Sequence, residues 1–260
     1  MKLLLISALS LGVLTTSAQD HKPLFKNDQK LLPVLWQQHA AEYRALCYQA
    51  FNIATERLMQ VKKKRRQQLA IVTDIDETLV DNSYSEAQLL KEGKSYSPAD
   101  WKRWTDLSAA TEVPGAGDFL RLAKSRGISI FYVSNRDTSE IESTIRNLQK
   151  LQFPDADREH MLFMQGVVSS KESRREAVMQ THKIIMLLGD NLNDFTKAFE
   201  KGSIQQRFQE TDNARTEWGK RFIVLPNATY GEWESALTGY RRGLTISQKD
   251  SVYYRLLKGF

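Results

Sequence analysis

The 260-residue sequence has few of the residues that crosslink chains or bind soft metals: one cysteine, Cys47, and four histidines. A single cysteine closes no intrachain disulfide, and one thiol with scattered imidazoles gives no zinc-ligand spacing. Cys47 lies between Leu46 and Tyr48 on a mostly apolar helical stripe, where a thiol is expected to be buried and inert. Long hydrophobic runs are also missing. The apolar stretch over residues 3–14 is interrupted by Ser7 and Ser10 and falls short of the ~20 residues a membrane span needs. No repeat or low-complexity segment is present. Charge is not spread evenly. The net charge is +6, and Lys62-Lys63-Lys64-Arg65-Arg66 alone carries five positive charges, so the rest is close to neutral. That run reads as a solvated helix end ahead of the first strand, and no nucleic-acid partner is expected.

The N-terminus has the form of a signal peptide. Lys2 is the charged start, residues 3–14 the short apolar core, and Thr16-Ser17-Ala18 suits cleavage after Ala18. Removing Lys2 lowers the net charge by one, to 6 − 1 = +5. The expectation is a soluble periplasmic or secreted protein without a membrane anchor.

Against this background, two segments carry most of the information. Leu69-Ala70-Ile71-Val72-Thr73 reads as a buried strand and ends in Asp74-Ile75-Asp76-Glu77-Thr78. Lys183-Ile184-Ile185-Met186-Leu187-Leu188 reads the same way and ends in Gly189-Asp190-Asn191-Leu192-Asn193-Asp194. A third strand, residues 128–133, ends in Ser134-Asn135-Arg136-Asp137. Carboxylates at the end of a core strand are costly unless paired. In an open α/β sheet the carboxyl ends of the strands are where ligands bind. Close carboxylates there can hold a divalent metal, supply a nucleophile, or divide acid and base roles. A lone acid after a strand is commonly a helix cap. Three polar strand ends that can converge favour a shared site.

Further elements follow from periodicity. Residues 32–60 form one long helical pattern, with Trp36, Ala40, Tyr43, Cys47, Ala50, Phe51, Ala54 and Leu58 on a stripe. The region 81–112 shows no strand pattern. In it, Ser97-Pro98 opens a helix, with Ser97 as cap and Pro98 in the first turn. Strands are expected at 161–164 and 221–225, and helices at 118–125, 138–151 and 170–180. Strands alternating with helices imply a parallel sheet with helices on both faces. The stretch 239–260, with many Tyr, Arg and Leu residues, is ambiguous between helix, strand and loop.

These motifs, taken in order, resemble the four motifs of the haloacid dehalogenase superfamily. The closer resemblance is to its DDDD branch, the class C acid phosphatases or lipoprotein-type 5′-nucleotidases. Similar text recurs in Leu35-Trp36-Gln37-Gln38, Glu42-Tyr43, residues 78–83, Trp101 with Trp104, Val113-Pro114-Gly115-Ala116 and Leu225-Pro226-Asn227-Ala228-Thr229-Tyr230-Gly231. The resemblance spans about residues 32–233. It departs from the lipoprotein name in one respect, because no cysteine stands at the cleavage site. It implies an α/β, Rossmannoid parallel sheet with a small helical cap. The corresponding division is a signal at 1–18, an N-terminal helical segment at 19–68, a core at 69–80 and 114–235, a cap insertion at 81–113 and a C-terminal segment at 236–260.

The chemistry then reads as phosphate-monoester hydrolysis. Asp74 is the nucleophile and Asp76 the general acid and base. The resemblance implies that Asp74, the Asp76 carbonyl and Asp190 hold Mg²⁺, with Asp194 a further ligand. Ser134 and Asn135 offer neutral donors to phosphate oxygens. Lys171, at a helix start after a strand, neutralises phosphate and aspartate, whereas Lys183 enters its strand from the opposite end. Tyr96, Trp101 and Tyr230 are expected to line a pocket for a nucleobase, and Trp104 to pack the cap. The expected substrates are small phosphomonoesters, nucleoside 5′-monophosphates first. A broad phosphatase or phosphotransferase is the alternative enzyme. A non-catalytic binding protein on the same fold is disfavoured because all four acids are present. The sequence leaves monomer and homodimer open.

Overall fold

The computed structural model describes residues 29–62, 65–164, 166 and 168–260. The signal-like segment and Lys63 and Lys64 of the basic run lie outside these residues. The chain runs through α1 (Leu31–His39), α2 (Ala41–Gln60), β1 (Leu69–Thr73), β2 (Val80–Asp81), α3 (Ser83–Glu92), α4 (Pro98–Asp106), β3 (Thr111–Glu112), α5 (Ala116–Ser125) and β4 (Ser129–Asp137). It continues through α6 (Ile141–Lys150), β5 (Met161–Met164), α7 (Glu172–Met179), β6 (Lys183–Gly189), α8 (Ile204–Asn213), β7 (Phe222–Val224), α9 (Glu232–Leu237) and α10 (Ile246–Leu256).

The apolar runs become strands because their side chains can be buried on both faces of one sheet. The order is β5-β4-β1-β6-β7, and each neighbouring pair is parallel. Along β1, Leu69 and Ile71 join one core with Tyr43, Phe51 and Leu58 of α2, Phe119 and Leu120 of α5, and Leu148 of α6. The alternate residues Ala70 and Val72 join a second core with Val178 of α7, Phe195 and Phe222. The period-two alternation of a strand thus divides β1 between two helical layers.

Two differences from the sequence-based expectations have physical reasons, and one open stretch takes a definite form. The helix expected over 32–60 is broken at Ala40, whose backbone is extended. Trp36 and Tyr43 then meet edge-to-face across the break, with ring centroids 5.4 Å apart. Second, the insertion between β1 and α5 contains strands as well as helices. The two-residue strands β2 and β3 pair antiparallel at its base, with α3 and α4 between them. The C-terminal stretch, ambiguous in the sequence, contains α10. Its N-terminus is held by a capping box in which Thr245 accepts from Gln248 and Gln248 reaches back.

Cys47 is fully buried, and burial pushes its thiol up to about 11. Among the described residues no helix is long and apolar enough to cross a membrane.

Candidate active site

The carboxyl ends of β1, β4 and β6 stand side by side because these strands are neighbours in a parallel sheet. The Asp74 N–H donates to Leu188 O at 3.0 Å, so the first acid is fixed by the last rung of the ladder. The chain then folds back on itself, and the Leu79 and Val80 N–H groups both donate to Ile75 O. Glu77 takes the left-handed conformation in this turn, with φ +57°. Such a backbone is strained for a residue with a Cβ and needs support from its surroundings. The support is on its buried carboxyl group, which accepts from the Asn82 N–H at 2.8 Å and meets the Tyr230 hydroxyl. Burial, with Asp76 next, raises Glu77 well above the usual carboxyl range.

Gly189 ends β6 where the chain must pass close to an acid. A Cβ there would collide with the Asp194 carboxylate. The following segment closes through a reciprocal cap, in which Asp194 Oδ2 accepts from the Asn191 N–H at 3.0 Å. Asp190 is held by Thr78 Oγ1 at 3.2 Å and Asn227 Nδ2 at 2.8 Å. Lys171 lies at the N-cap of α7. Its ammonium contacts Asp74 Oδ1 and stands 2.6 Å from Asp194 Oδ1. Burial works to lower this lysine, but the Asp194 and Asp74 carboxylates prevail and raise it. Lys183 is exposed at the opposite end of β6.

Oxygens of Asp74, Asp190 and Asp194 lie within 4.8 Å of one another. Burial and mutual repulsion raise Asp74 well above its ordinary value and Asp190 to about 7. Three crowded, oxygen-only donors with one ammonium among them fit a hard divalent cation, which removes the repulsion that burial magnifies. No thiol or imidazole belongs to this group, so the donor set is unlike that of zinc or copper.

Asp76 has a separate set of partners. Arg136 Nη2 donates to its Oδ1 at 2.7 Å, and Nε lies 3.1 Å from both oxygens. Asn82 Nδ2 donates to Oδ1 at 2.8 Å. Ser134 is fully buried. Its hydroxyl accepts from the Arg136 N–H and faces Asp76 Oδ2 at 3.5 Å. Asn135 is turned by Arg174, which donates to Asn135 Oδ1 and to Ser134 O, each at 2.6 Å. With the amide oxygen taken by a guanidinium, the Asn135 NH₂ group is left as the free end.

A cavity of about 480 Å³ joins these groups. Asp74, Asp76, Asn135, Lys171, Asp190 and Asp194 line it. Tyr96, Trp101 and Tyr230 line it too, together with Lys30 and Glu86, which form a 2.8 Å ion pair. Trp104, expected only to pack, has a specific bond: its indole N–H donates to Asn82 Oδ1 at 2.8 Å. Sequence reasoning missed Asn82, Glu77 and Arg174 and gave Arg136 no task. Arg136 was the one with a signal, since it follows two motif residues at a strand end.

A profile described as HAD superfamily, subfamily IIIB (Acid phosphatase) matches residues 9–233. The chain is similar to the class C acid phosphatase from Bacillus anthracis, with 40% identity and a TM-score of 0.84 over 89% of this chain and 98% of that one. A structure of the Bacillus anthracis class C acid phosphatase with tungstate bound matches at 39% identity and a TM-score of 0.83, again over 89% of this chain and 98% of that one.

Proposed function

The chain belongs to the acid phosphatases of haloacid dehalogenase subfamily IIIB, and from that membership we propose that it is an exported, Mg²⁺-dependent phosphatase acting on nucleoside 5′-monophosphates through a phosphorylated Asp74. The fold, the phosphomonoester-hydrolase class and the use of a divalent metal follow from the family. The substrate, the ion, export and the residue roles are the proposal.

The observation that carries it is the shared cavity, lined by Asp74, Asp76, Lys171, Asp190 and Asp194 and by three aromatic side chains, Tyr96, Trp101 and Tyr230. Tungstate is a tetrahedral oxyanion like phosphate, and its presence in the relative supports an oxyanion site on this fold. Export is supported by the charged, apolar and small-residue order of residues 1–18.

In the proposed reaction an Asp74 carboxylate oxygen forms a bond to phosphorus as the bond to the leaving oxygen breaks. Asp76 gives its proton to that oxygen, so the leaving group departs as an alcohol. Water then attacks the acyl-phosphate, Asp76 takes the proton back, and phosphate and Asp74 are released. Two negative charges ~4 Å apart repel by about 4 kcal/mol at an effective dielectric near 20. Lys171 and the Asn135 amide offset that repulsion at the phosphate oxygens. The cation, held by Asp74, Asp190, Asp194 and the Asp76 carbonyl, would add further positive charge there. The rings of Tyr96, Trp101 and Tyr230 offer apolar faces on which any nucleobase can stack.

The test is a screen of the purified chain without residues 1–18, with EDTA and with added Mg²⁺. Nucleoside 5′-monophosphates, glycerol phosphate and 4-nitrophenyl phosphate are compared by kcat/KM. The proposal expects Mg²⁺-dependent turnover with nucleotides preferred over glycerol phosphate. Equal values across the three would leave a phosphatase without base preference.

A further inference from the structure

The proton donor is surrounded by an arrangement that the reaction scheme does not use. Asp76 Oδ1 accepts from the Asn82 Nδ2–H at 2.8 Å and from Arg136 Nη2–H at 2.7 Å, with Nε at 3.1 Å. All of these are N–H groups, which donate and cannot accept. Oδ1 therefore has no partner able to receive a proton from it. Oδ2 differs, because it faces the Ser134 hydroxyl, which can donate or accept, besides sharing Arg136 Nε at 3.1 Å.

Each of the two groups that hold Oδ1 is in turn fixed by a tryptophan of α4. An amide can present either its oxygen or its nitrogen, and nothing within Asn82 decides which. The Trp104 indole N–H decides it. Indole is a donor only, it stands 2.8 Å from Asn82 Oδ1, and so the Asn82 nitrogen must face Asp76. Arg136 is clamped by Thr144 Oγ1, which accepts from Nη1 at 2.9 Å, and its guanidinium lies 5.5 Å from the centre of the Trp101 ring. Trp101 also lines the cavity.

We propose that α4 is the positioning element of the proton donor: Trp104 acting through Asn82, and Trp101 through Arg136, hold Asp76 so that its transferable proton is carried on Oδ2. The proton passes from Oδ2 to the leaving oxygen and returns to Oδ2 from water, while Oδ1 keeps its three N–H contacts throughout. The inference rests on the reading of Asp76 as general acid. It makes Trp104 a positioning residue, and it links the surface that meets the substrate to the group that protonates the leaving oxygen.

The test compares kcat/KM for glycerol phosphate, a poor leaving group, with kcat/KM for 4-nitrophenyl phosphate, a good one, at saturating Mg²⁺. Trp104→Phe keeps an aromatic ring against Tyr84, with which Trp104 stacks at 6.2 Å, and loses the N–H donor together with part of the indole's packing surface, a loss that acts on both substrates alike. Arg136→Lys keeps the charge but cannot grip both oxygens. Each variant should lower the glycerol phosphate to 4-nitrophenyl phosphate ratio by about fivefold or more, the effect of one lost hydrogen bond on the step it serves. A general loss of structure would lower both substrates together and leave the ratio unchanged. Asp76→Asn is run beside them. If Asp76→Asn lowers the ratio and neither Trp104→Phe nor Arg136→Lys does, positioning by α4 is overturned and the donor role stands. If Asp76→Asn leaves the ratio unchanged, the donor reading itself fails, and the inference with it.

Discussion

The Lys171 ammonium stands 2.6 Å from Asp194 Oδ1, and the same nitrogen contacts Asp74. One cation thus serves a proposed nucleophile and a proposed metal ligand, and in doing so competes with the metal for both. Lys171→Met should separate the two effects. Turnover is expected to fall by about 10²–10³, the usual effect of removing one strong electrostatic contact to the transition state. The Mg²⁺ concentration for half-maximal binding should fall as well, because the carboxylates lose their internal counter-ion. A Mg²⁺ titration followed by thermal shift reads the second effect independently of activity. Weaker Mg²⁺ binding in the variant would contradict this account of the site.

The acid cluster makes the stability of the metal-free protein depend on pH. Burial, then Asp194, raises Asp190 to about 7. A carboxyl raised above its unfolded value of ~3.9 contributes stability while protonated and loses it as pH rises through the folded value. Metal-free protein should therefore lose Tm between about pH 4, the unfolded value, and about pH 7, the folded one. Mg²⁺ binds the ionised form, so the Tm gained on adding it should grow over the same interval. Melting curves in EDTA and in Mg²⁺ at several pH values check this. A Mg²⁺ effect that is flat with pH would count against Asp190 as a ligand.

Tyr230 has two separable parts. Its hydroxyl meets the buried Glu77 carboxyl, and its ring lines the cavity. Tyr230→Phe removes only the first part, leaving Glu77 short of a partner at about 1–3 kcal/mol, with KM for nucleoside monophosphates nearly unchanged. At ~2–4 °C of Tm per kcal/mol for a chain of this size, the loss is measurable by melting. Tyr230→Ala should in addition raise that KM by about five- to 150-fold, the range for one lost stacking contact. Trp101→Ala should behave differently. Its ring lies over Arg136, so turnover of glycerol phosphate should fall too, although that substrate has no base to stack.

Much of this site is legible in the sequence because its determinants are local. Apolar β-branched runs ending in acids identify β1 and β6, and a parallel sheet brings their carboxyl ends together. The same rule separates Lys171, beside Asp74, from Lys183, exposed at the far end of β6. The signal-like segment falls outside the described residues. What could not be read depends on partners distant along the chain. Glu77 takes its meaning from Tyr230, 153 residues away, and Asp76 from Arg136, 60 residues away. Trp104 and Asn82 resemble ordinary packing and loop residues until their 2.8 Å bond is seen. The break at Ala40 has no proline or glycine to announce it. Neither α8 nor α10 was expected, although each opens on a local capping box, Ser203 with Gln206 and Thr245 with Gln248, that the sequence could have shown.

The central claim is that phosphate passes through Asp74. Enzyme mixed with substrate and Mg²⁺ on the millisecond scale, quenched in acid and reduced with borohydride, should contain homoserine where the acyl-phosphate stood. Mass spectrometry of the digest locates it. The account predicts homoserine at position 74, only when substrate is present, and none in Asp74→Asn, which should also lose nearly all turnover while keeping its melting temperature within a few degrees. Homoserine at position 76, or an Asp74→Asn enzyme that still turns over at a near-normal rate, would contradict it.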